Sequence, residues 1–407
     1  MASGGVKLQA LTTTTNMITA TGVGGIWLKN ILFTSGARQA LGRYVRFHDC
    51  NTSGMMQCQS DGGYNTLEIT GNCVGIFGAN LTVRNFNGRG VYIDTSGNDL
   101  FFSHVIMDQD DATYTPIAGF NVKRQGGAFV LTDSDLIHCH DAILVDPDAG
   151  EFSNWGYLNH VFCDSADFDV AVRKGVGLKF RPTNGGEVQG WQFGSVWSAT
   201  GYIGMELIAD ATSKLHRMDF DGLKILNNHR QAIDAEYLVG SSILNPDIYS
   251  NSTAATNTYS GARYGVGCNG IAISGGRIGG NEAGFTNNHK YNIETTAAFA
   301  GGVINVANVD ISSYGTGPAL LSGAPGIGSG FWQCPGFNPQ GTASAVMGAS
   351  PATYTAGPTW ESCQLIGGTI TTAKINGVTM GTAFMLAPYQ AVVVTHTGAP
   401  TIVVNKL

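Results

Sequence analysis

Large apolar residues recur along this chain in nine-residue blocks. They read LTVRNFNGR from Leu81, FFSHVIMDQ from Phe101, LTDSDLIHC from Leu131, LNHVFCDSA from Leu158 and WQFGSVWSA from Trp191, then FDGLKILNN from Phe220, ILNPDIYSN from Ile243, ISGGRIGGN from Ile273 and INVANVDIS from Ile304. Each block opens on a large apolar residue and places another five positions later, with Cys163 filling that slot in the Leu158 block and IWLKNILFT from Ile26 fitting at the N-terminal end. Successive starts from Leu81 lie 20 to 33 residues apart, about 28 on average. A five-residue step cannot stay on one face of a strand, whose side chains alternate with period two, so each block is expected to be two short strands joined by a bend. A third apolar element follows several blocks, as in AILV after His140 and Asp141, FDVAV at Phe168, and the related connectors NNHRQAID from Asn227 and NNHKYNIE from Asn287. Three strands per 28-residue turn predict an all-β fold, a right-handed parallel β-helix.

Stacking the blocks brings like residues into columns about 4.8 Å apart. The ninth position holds Asn228, Asn251 and Asn281, the pattern of an amide ladder at a bend. The fifth holds Lys224, Asp247 and Arg277, the pattern of a surface ion-pair ladder. After Tyr314 the character changes: GTGPALLSGAPGIGSG reads as a linker, and from there to Leu407 only Glu361, Lys374 and Lys406 are charged. Alternating apolar and small polar residues with an Asn-Gly turn at Asn376 predict a small C-terminal β-domain. Its uncharged surface suits burial against identical copies. The expected division is 1–25 as cap or attachment segment, 26–314 as β-helix, and 315–407 as a trimerisation or receptor-contact domain.

Composition narrows the function. The 407 residues include 57 Gly and only 51 charged residues, too few for a protein rich in exposed helices. A net charge of −7 without a Lys/Arg run argues against a nucleic-acid or anionic-membrane surface. The eight cysteines lack CxxC or zinc spacing and read as free thiols of a chain folded in a reducing compartment. The N-terminus lacks the apolar core of a secretion signal, and no run of 18 apolar residues predicts a membrane helix.

With the FDGLKILNN, ILNPDIYSN, ISGGRIGGN and INVANVDIS rungs, the NNHRQAID and NNHKYNIE connectors and the low-charge C-terminal segment, the chain resembles the tailspike family of bacteriophages, which share the β-helix with pectin-lyase-like enzymes. The resemblance implies a homotrimer in the virion tail that is made in the host cytoplasm, binds a bacterial surface polysaccharide and often depolymerises it. It also implies a tail or baseplate partner. The Thr-rich N-terminus leaves little room for a large particle-attachment domain, so attachment would use that segment, or the chain is a fragment.

Residues 108 to 169 hold twelve of the 29 acids against Lys123 and Arg124 alone. Block alignment puts Asp108, His138 and Ser165 at the eighth position of successive rungs, with Asp110, Asp111, His140, Asp141, Asp164 and Asp167 close to the same bend. Glycoside hydrolysis needs one protonated and one ionised carboxyl flanking the bond, and crowded acids raise one pKa. Catalytic candidates are therefore Asp108, Asp110, Asp111, Asp141, Asp164 and Asp167. Candidate sugar contacts are His138, His140, Trp155, Tyr157, Trp197 and Tyr249. Competing readings stand beside these: Asp is a common turn residue, the two histidines suit turns or a metal pair, and Trp197 and Tyr249, taken as sharing the seventh position, could pack between subunits. Asp219, Asp221, Asp234, Glu236, Asp247 and Glu282 form a second acidic candidate. Hydrolysis requires no cofactor, whereas a lyase would need calcium and a base such as Arg173 or Lys174. A binding protein without catalysis is the remaining alternative.

Overall fold

The computed structural model describes residues 6–14, 16–37, 39–109, 116–164, 174–280, 289–323, 325–337 and 341–407. Asp110, Asp111, Ser165, Asp167, Asn281 and Glu282 lie outside them. The described residues contain strands and turns and no helix. Every strand pairing from Val6 to Trp332 is parallel, and the strands wind into a coil of about eleven turns with a 19-stranded, a 12-stranded and a shorter 4-stranded face.

One backbone device explains the five-residue step. Between the two short strands of each rung sits a residue in the left-handed conformation: Asn30, Gln57, Asn80, His104, Asp133, His160, Ser195, Gly222, Asn245, Gly275, Asn308 and Gln333, with φ between 49° and 69°. Asn, Asp, His and Gly accept that region at low cost, which is why they punctuate the blocks. Asn30, Gln57, Ser195, Gly222, Asn245, Gly275 and Asn308 each donate their N–H to the carbonyl before the next rung's bend, as Gln57 does to Ala79 and Gly222 to Leu244 (2.9 and 3.0 Å). The bends are thus a hydrogen-bonded column in their own right.

Inward-facing residues fill a continuous core in which Phe102, Phe120, Phe129, Phe180, Trp191, Phe193 and Phe220 pack ring against ring. Trp191 donates its indole N–H to Ser153 O at 3.1 Å, and its ring occupies space that a Cβ on Gly156 would take. All eight cysteines are buried free thiols. Burial raises the pKa of Cys139 and Cys163 well above the usual thiol range, so neither is an available nucleophile.

The coil exceeds the expected 26–314 at both ends. Val6–Ala10 and Asn16–Thr21 already pair with the next rung, and Gly317–Leu321 and Gly330–Trp332 continue the two large sheets. Gly317–Leu321, within the stretch 315–330 expected to link two domains, and Gly330–Trp332 at its end therefore belong to a last rung. Beyond it, eight strands form two antiparallel sheets around a separate core including Phe384, Leu386, Val392 and Val404. Asn376 and Gly377, both at positive φ, make the two-residue turn between Thr369–Ile375 and Val378–Met380.

The Lys224, Asp247 and Arg277 column is an ion-pair ladder, with Asp247 at 3.8 Å from Lys224 and 2.5 Å from Arg277. The amide ladder joins Asn228 Nδ2 to Asn251 Oδ1 at 2.8 Å, and Asn251 Nδ2 meets His289 Nε2 at 3.2 Å. His289 Nδ1 then faces Asn292 Oδ1 at 3.2 Å. An amide donor on Nε2 and a carbonyl acceptor on Nδ1 require the neutral imidazole. Burial drives the pKa of His289 down to about 4, offset in part by the Asn292 bond.

Because unfolded His titrates near 6.5, the unfolded chain binds one more proton than the native one between about pH 6.5 and pH 4. Stability contributed by neutral His289 is therefore full above that window and declines as pH falls through it. Urea unfolding from pH 7 to pH 4.5 should show a declining midpoint in the wild type and a shallower decline in His289→Gln. Equal slopes in the two proteins would contradict this assignment.

Candidate functional site

The acid-rich stretch does not form one patch. Asp141 is buried on the 12-stranded sheet, accepting from Val176 N at 3.1 Å and pairing with Lys179 at 3.2 Å and His140 at 3.4 Å. It serves as an internal ion-pair partner, on a different sheet from Asp108 and Asp164. Asp146 accepts from Asn121 at 2.6 Å, Glu151 lies 3.4 Å from Lys123, Asp148 holds Asn184 at 2.8 Å, and Asp133 faces His160 across 3.4 Å. These are turn caps and surface pairs.

Three acids do share one face. Strand pairing sets Asp108, Ile137 and Asp164 side by side on consecutive rungs, and two residues earlier sets Ile106, Asp135 and Phe162 in the neighbouring column. Block alignment matches Asp108 with His138 and Ser165, one residue off, because it opens the block on Phe101. In the structure Phe102 pairs with Leu131. A one-residue slip exchanges the two faces of a strand. The Trp191 block is offset by two for the same reason, since Phe193 pairs with Leu158 and Phe220. Trp197 therefore stacks with Lys224 and Asp247, and Tyr249 with Leu226 and Ala199.

Asp135 is the central group, and no block alignment had singled it out. Its column neighbours are two exposed apolar side chains, Ile106 at 46% and Phe162 at 40%. Phe162 in turn meets Trp197 edge to face at 5.5 Å. Burial raises the Asp135 pKa first, and the charges of Asp164 and then Asp108 raise it further. The two flanking acids are held differently: Asp108 Oδ1 lies 3.5 Å from His138 Nδ1, and Asp164 Oδ1 accepts from Thr200 Oγ1 at 2.8 Å. One rung across and two residues along puts the Asp135 Cα about 8 Å from that of each flanking acid.

The remaining sugar candidates divide. Trp155 is 47% exposed at a positive-φ bend, and its ring lies over Gly190, where a Cβ would sit 2.8 Å from it. Tyr157 is half-buried and lines an open groove of about 320 Å³ together with Gln192, Asp219, Asp221 and Leu244. Tyr249 is fully buried against Ala199 and Leu226, with Arg277 4.6 Å from its ring, so it offers no face to a sugar. Lys174, a candidate lyase base, lies over the Tyr202 ring at 5.6 Å. Among the described residues no three His, Cys, Asp or Glu side chains come together to hold a metal ion.

No family model and no curated protein matches the chain. Several solved structures do. The tailspike protein of Pseudomonas phage LKA1 is 13% identical, with 99% of this chain and 67% of that chain covered and a TM-score of 0.44. Tailspike protein 2 of an Escherichia coli O157:H7 bacteriophage is 11% identical, with 98% of this chain and 61% of that one covered and a TM-score of 0.44. The tailspike of E. coli bacteriophage HK620, solved in complex with a pentasaccharide, is 8% identical over 99% of this chain and 87% of that one, with a TM-score of 0.32. All three are bacteriophage tailspikes. At such identities no site residue carries over from one to another.

Carbon-detected NMR titration of the Asp side chains should find Asp135 titrating above the ordinary Asp range. Removing either neighbouring charge, in Asp164→Asn or Asp108→Asn, should lower its midpoint, with the larger shift in Asp164→Asn. An Asp135 midpoint that neither substitution moves would break the electrostatic link among the three acids.

Proposed function

We propose that the protein is a tailspike-type polysaccharide depolymerase, a homotrimeric component of a phage tail that binds a bacterial surface glycan and hydrolyses it internally. The observation that carries this reading is the placement of Asp135, a carboxyl whose pKa is raised, between two exposed apolar side chains and across from two further acids. A carboxyl that holds its proton can donate it to a glycosidic oxygen. Asp108 or Asp164, whichever lies across the bound sugar, accepts a proton from water as that water attacks the anomeric carbon. The C–O bond breaks, the leaving sugar keeps the proton from Asp135, and one new reducing end forms. Side chains on one face with Cα atoms about 8 Å apart suit an inverting pair, whose carboxyl groups stand about 6.5 to 9.5 Å apart, better than a retaining pair at about 5 to 5.5 Å.

Phe162 and Trp197 supply an apolar wall beside the acid, of the kind that packs on sugar rings. His138 and Thr200 act through Asp108 and Asp164 as positioning residues. Self-association is supported by the C-terminal sheets, which leave Val346, Val378, Ile366 and Met385 exposed on a nearly uncharged domain. Hydrolysis of this kind uses no cofactor, and a tail or baseplate protein would be the attachment partner.

Incubation with purified bacterial capsule or lipopolysaccharide should release new reducing ends without the absorbance of an unsaturated uronate. Asp135→Asn should lower that rate by about 10²-fold or more, the usual contribution of a general acid, while the exposed bend variant Asp133→Asn keeps it. Full activity in Asp135→Asn, or an unsaturated product, would overturn the mechanism. Binding without either product would leave an adhesin.

A further inference from the structure

The groove beside Tyr157 lies on the other arm of the same rungs. Strand Gly156–Asp164 carries Tyr157 before the His160 bend and Asp164 after it, so the groove and the acid cluster lie on opposite sides of the bend column. The groove crosses four rungs, with Tyr157, Gln192, Asp219 and Ser242 in one register column and Asn159, Gly194, Asp221 and Leu244 in the next. Gly194 opens the floor, since a Cβ there would come within 2.6 Å of the Asn159 side chain.

Its chemistry is that of a site for uncharged sugar. Asp219 and Asp221 sit two residues apart on one face of a three-residue strand, so both carboxylates point outward. Each is fixed through one oxygen: Ser242 Oγ donates to Asp219 Oδ1 at 2.7 Å, and Asn245 Nδ2 to Asp221 Oδ1 at 3.2 Å. Neither carboxylate has a Lys or Arg partner among the described residues. Carboxylates held this way accept strong hydrogen bonds from hydroxyl groups. Tyr157 and Leu244 supply apolar surface for a ring, and the Gln192 and Asn159 amides add donors and acceptors. Among the described residues no lysine or arginine lines the groove, so an anionic sugar would meet two unneutralised like charges.

We propose that this groove is a saccharide-holding site, distinct from the acid cluster, that takes uncharged sugar units and rejects uronates. The inference rests on the reading of the protein as glycan-binding and deepens it by naming the sugar class and a second place of contact. A chain held here stays attached while a neighbouring stretch lies over Asp135.

The test uses the full chain carrying Asp135→Asn, so that cleavage does not blur binding, against maltohexaose, cellohexaose, xylohexaose, chitohexaose and hexagalacturonate on a glycan array with titration of the hits. At least one neutral hexasaccharide should bind and hexagalacturonate should not. Adding Tyr157→Ala, or Asp219→Asn with Asp221→Asn, should weaken that binding at least tenfold with an unchanged thermal midpoint. Adding Asp219→Lys with Asp221→Lys should admit hexagalacturonate. Undiminished binding in the groove variants, a wild-type preference for hexagalacturonate, or no binding to any of the five overturns the proposal. Release of reducing ends by the unsubstituted chain is scored separately, so failure of the groove and failure of the hydrolase reading are told apart.

Discussion

The left-handed bend inside each rung is the constraint on which the rest of the structure depends. Twelve consecutive rungs place a positive-φ residue at the same point, and Asn30, Gln57, Ser195, Gly222, Asn245, Gly275 and Asn308 each bond from there to the carbonyl before the next bend. Without that residue, two strands of alternating side chains could not turn a corner and still keep large apolar groups on the inside. With it, the register of the outer face is set as firmly as that of the core, because a slip of one rung position would bury the wrong side chain. Columns of outward residues follow automatically, spaced by the rung height of about 4.8 Å. A solenoid of this kind builds active sites by column, and the sequence distance between neighbours is one whole turn.

The same columns decide where charge is safe. Asp247 between Lys224 and Arg277, and Asp141 beside Lys179, are acids matched with bases on their own or the next rung. Buried polar groups follow the same rule through Asn228, Asn251, His289 and Asn292, each supplying the hydrogen bond its neighbour needs. Unmatched placement is what distinguishes Asp135. Its nearest neighbours along the column are apolar, and the groups close enough to act on it electrostatically are acids.

Much of this could be read from the sequence, and the part that could not has a definite physical cause. The bend within a block and the Asn376 turn depend on residues close together in the chain, and the Lys224 and Asn228 ladders lie on rungs whose opening residues, Phe220, Ile243 and Ile273, do share one column. Register is different where the opening residue is not the one in that column. Leu131, Leu158, Phe220, Ile243 and Ile273 do share one column, but Phe101, Trp191 and Ile304 do not, because Phe102, Phe193 and Val306 occupy it instead. Those rungs carry two large apolar residues near the opening: Phe101 faces out beside buried Phe102, while Trp191 and Ile304 are buried together with Phe193 and Val306, so size alone does not say which one holds the column. Aligning on the bend residue, where His104, Asp133 and His160 stand over one another, gives the correct register and sets Asp135 between Ile106 and Phe162. The excess of acids in residues 108 to 169 was a misleading signal, since a stretch longer than one turn distributes its side chains over every face of the coil.

A single arrangement of sugar on this surface would join the bend column, the acid cluster and the groove. The most direct test is a crystal structure of the Asp135→Asn protein with a bound oligosaccharide. The account predicts a glycosidic oxygen within about 3 Å of the residue 135 side chain, with sugar rings against Phe162 and carboxylates 108 and 164 on the far side of the bond. An oligosaccharide bound on the 12-stranded face, or with no glycosidic oxygen near residue 135, would contradict it.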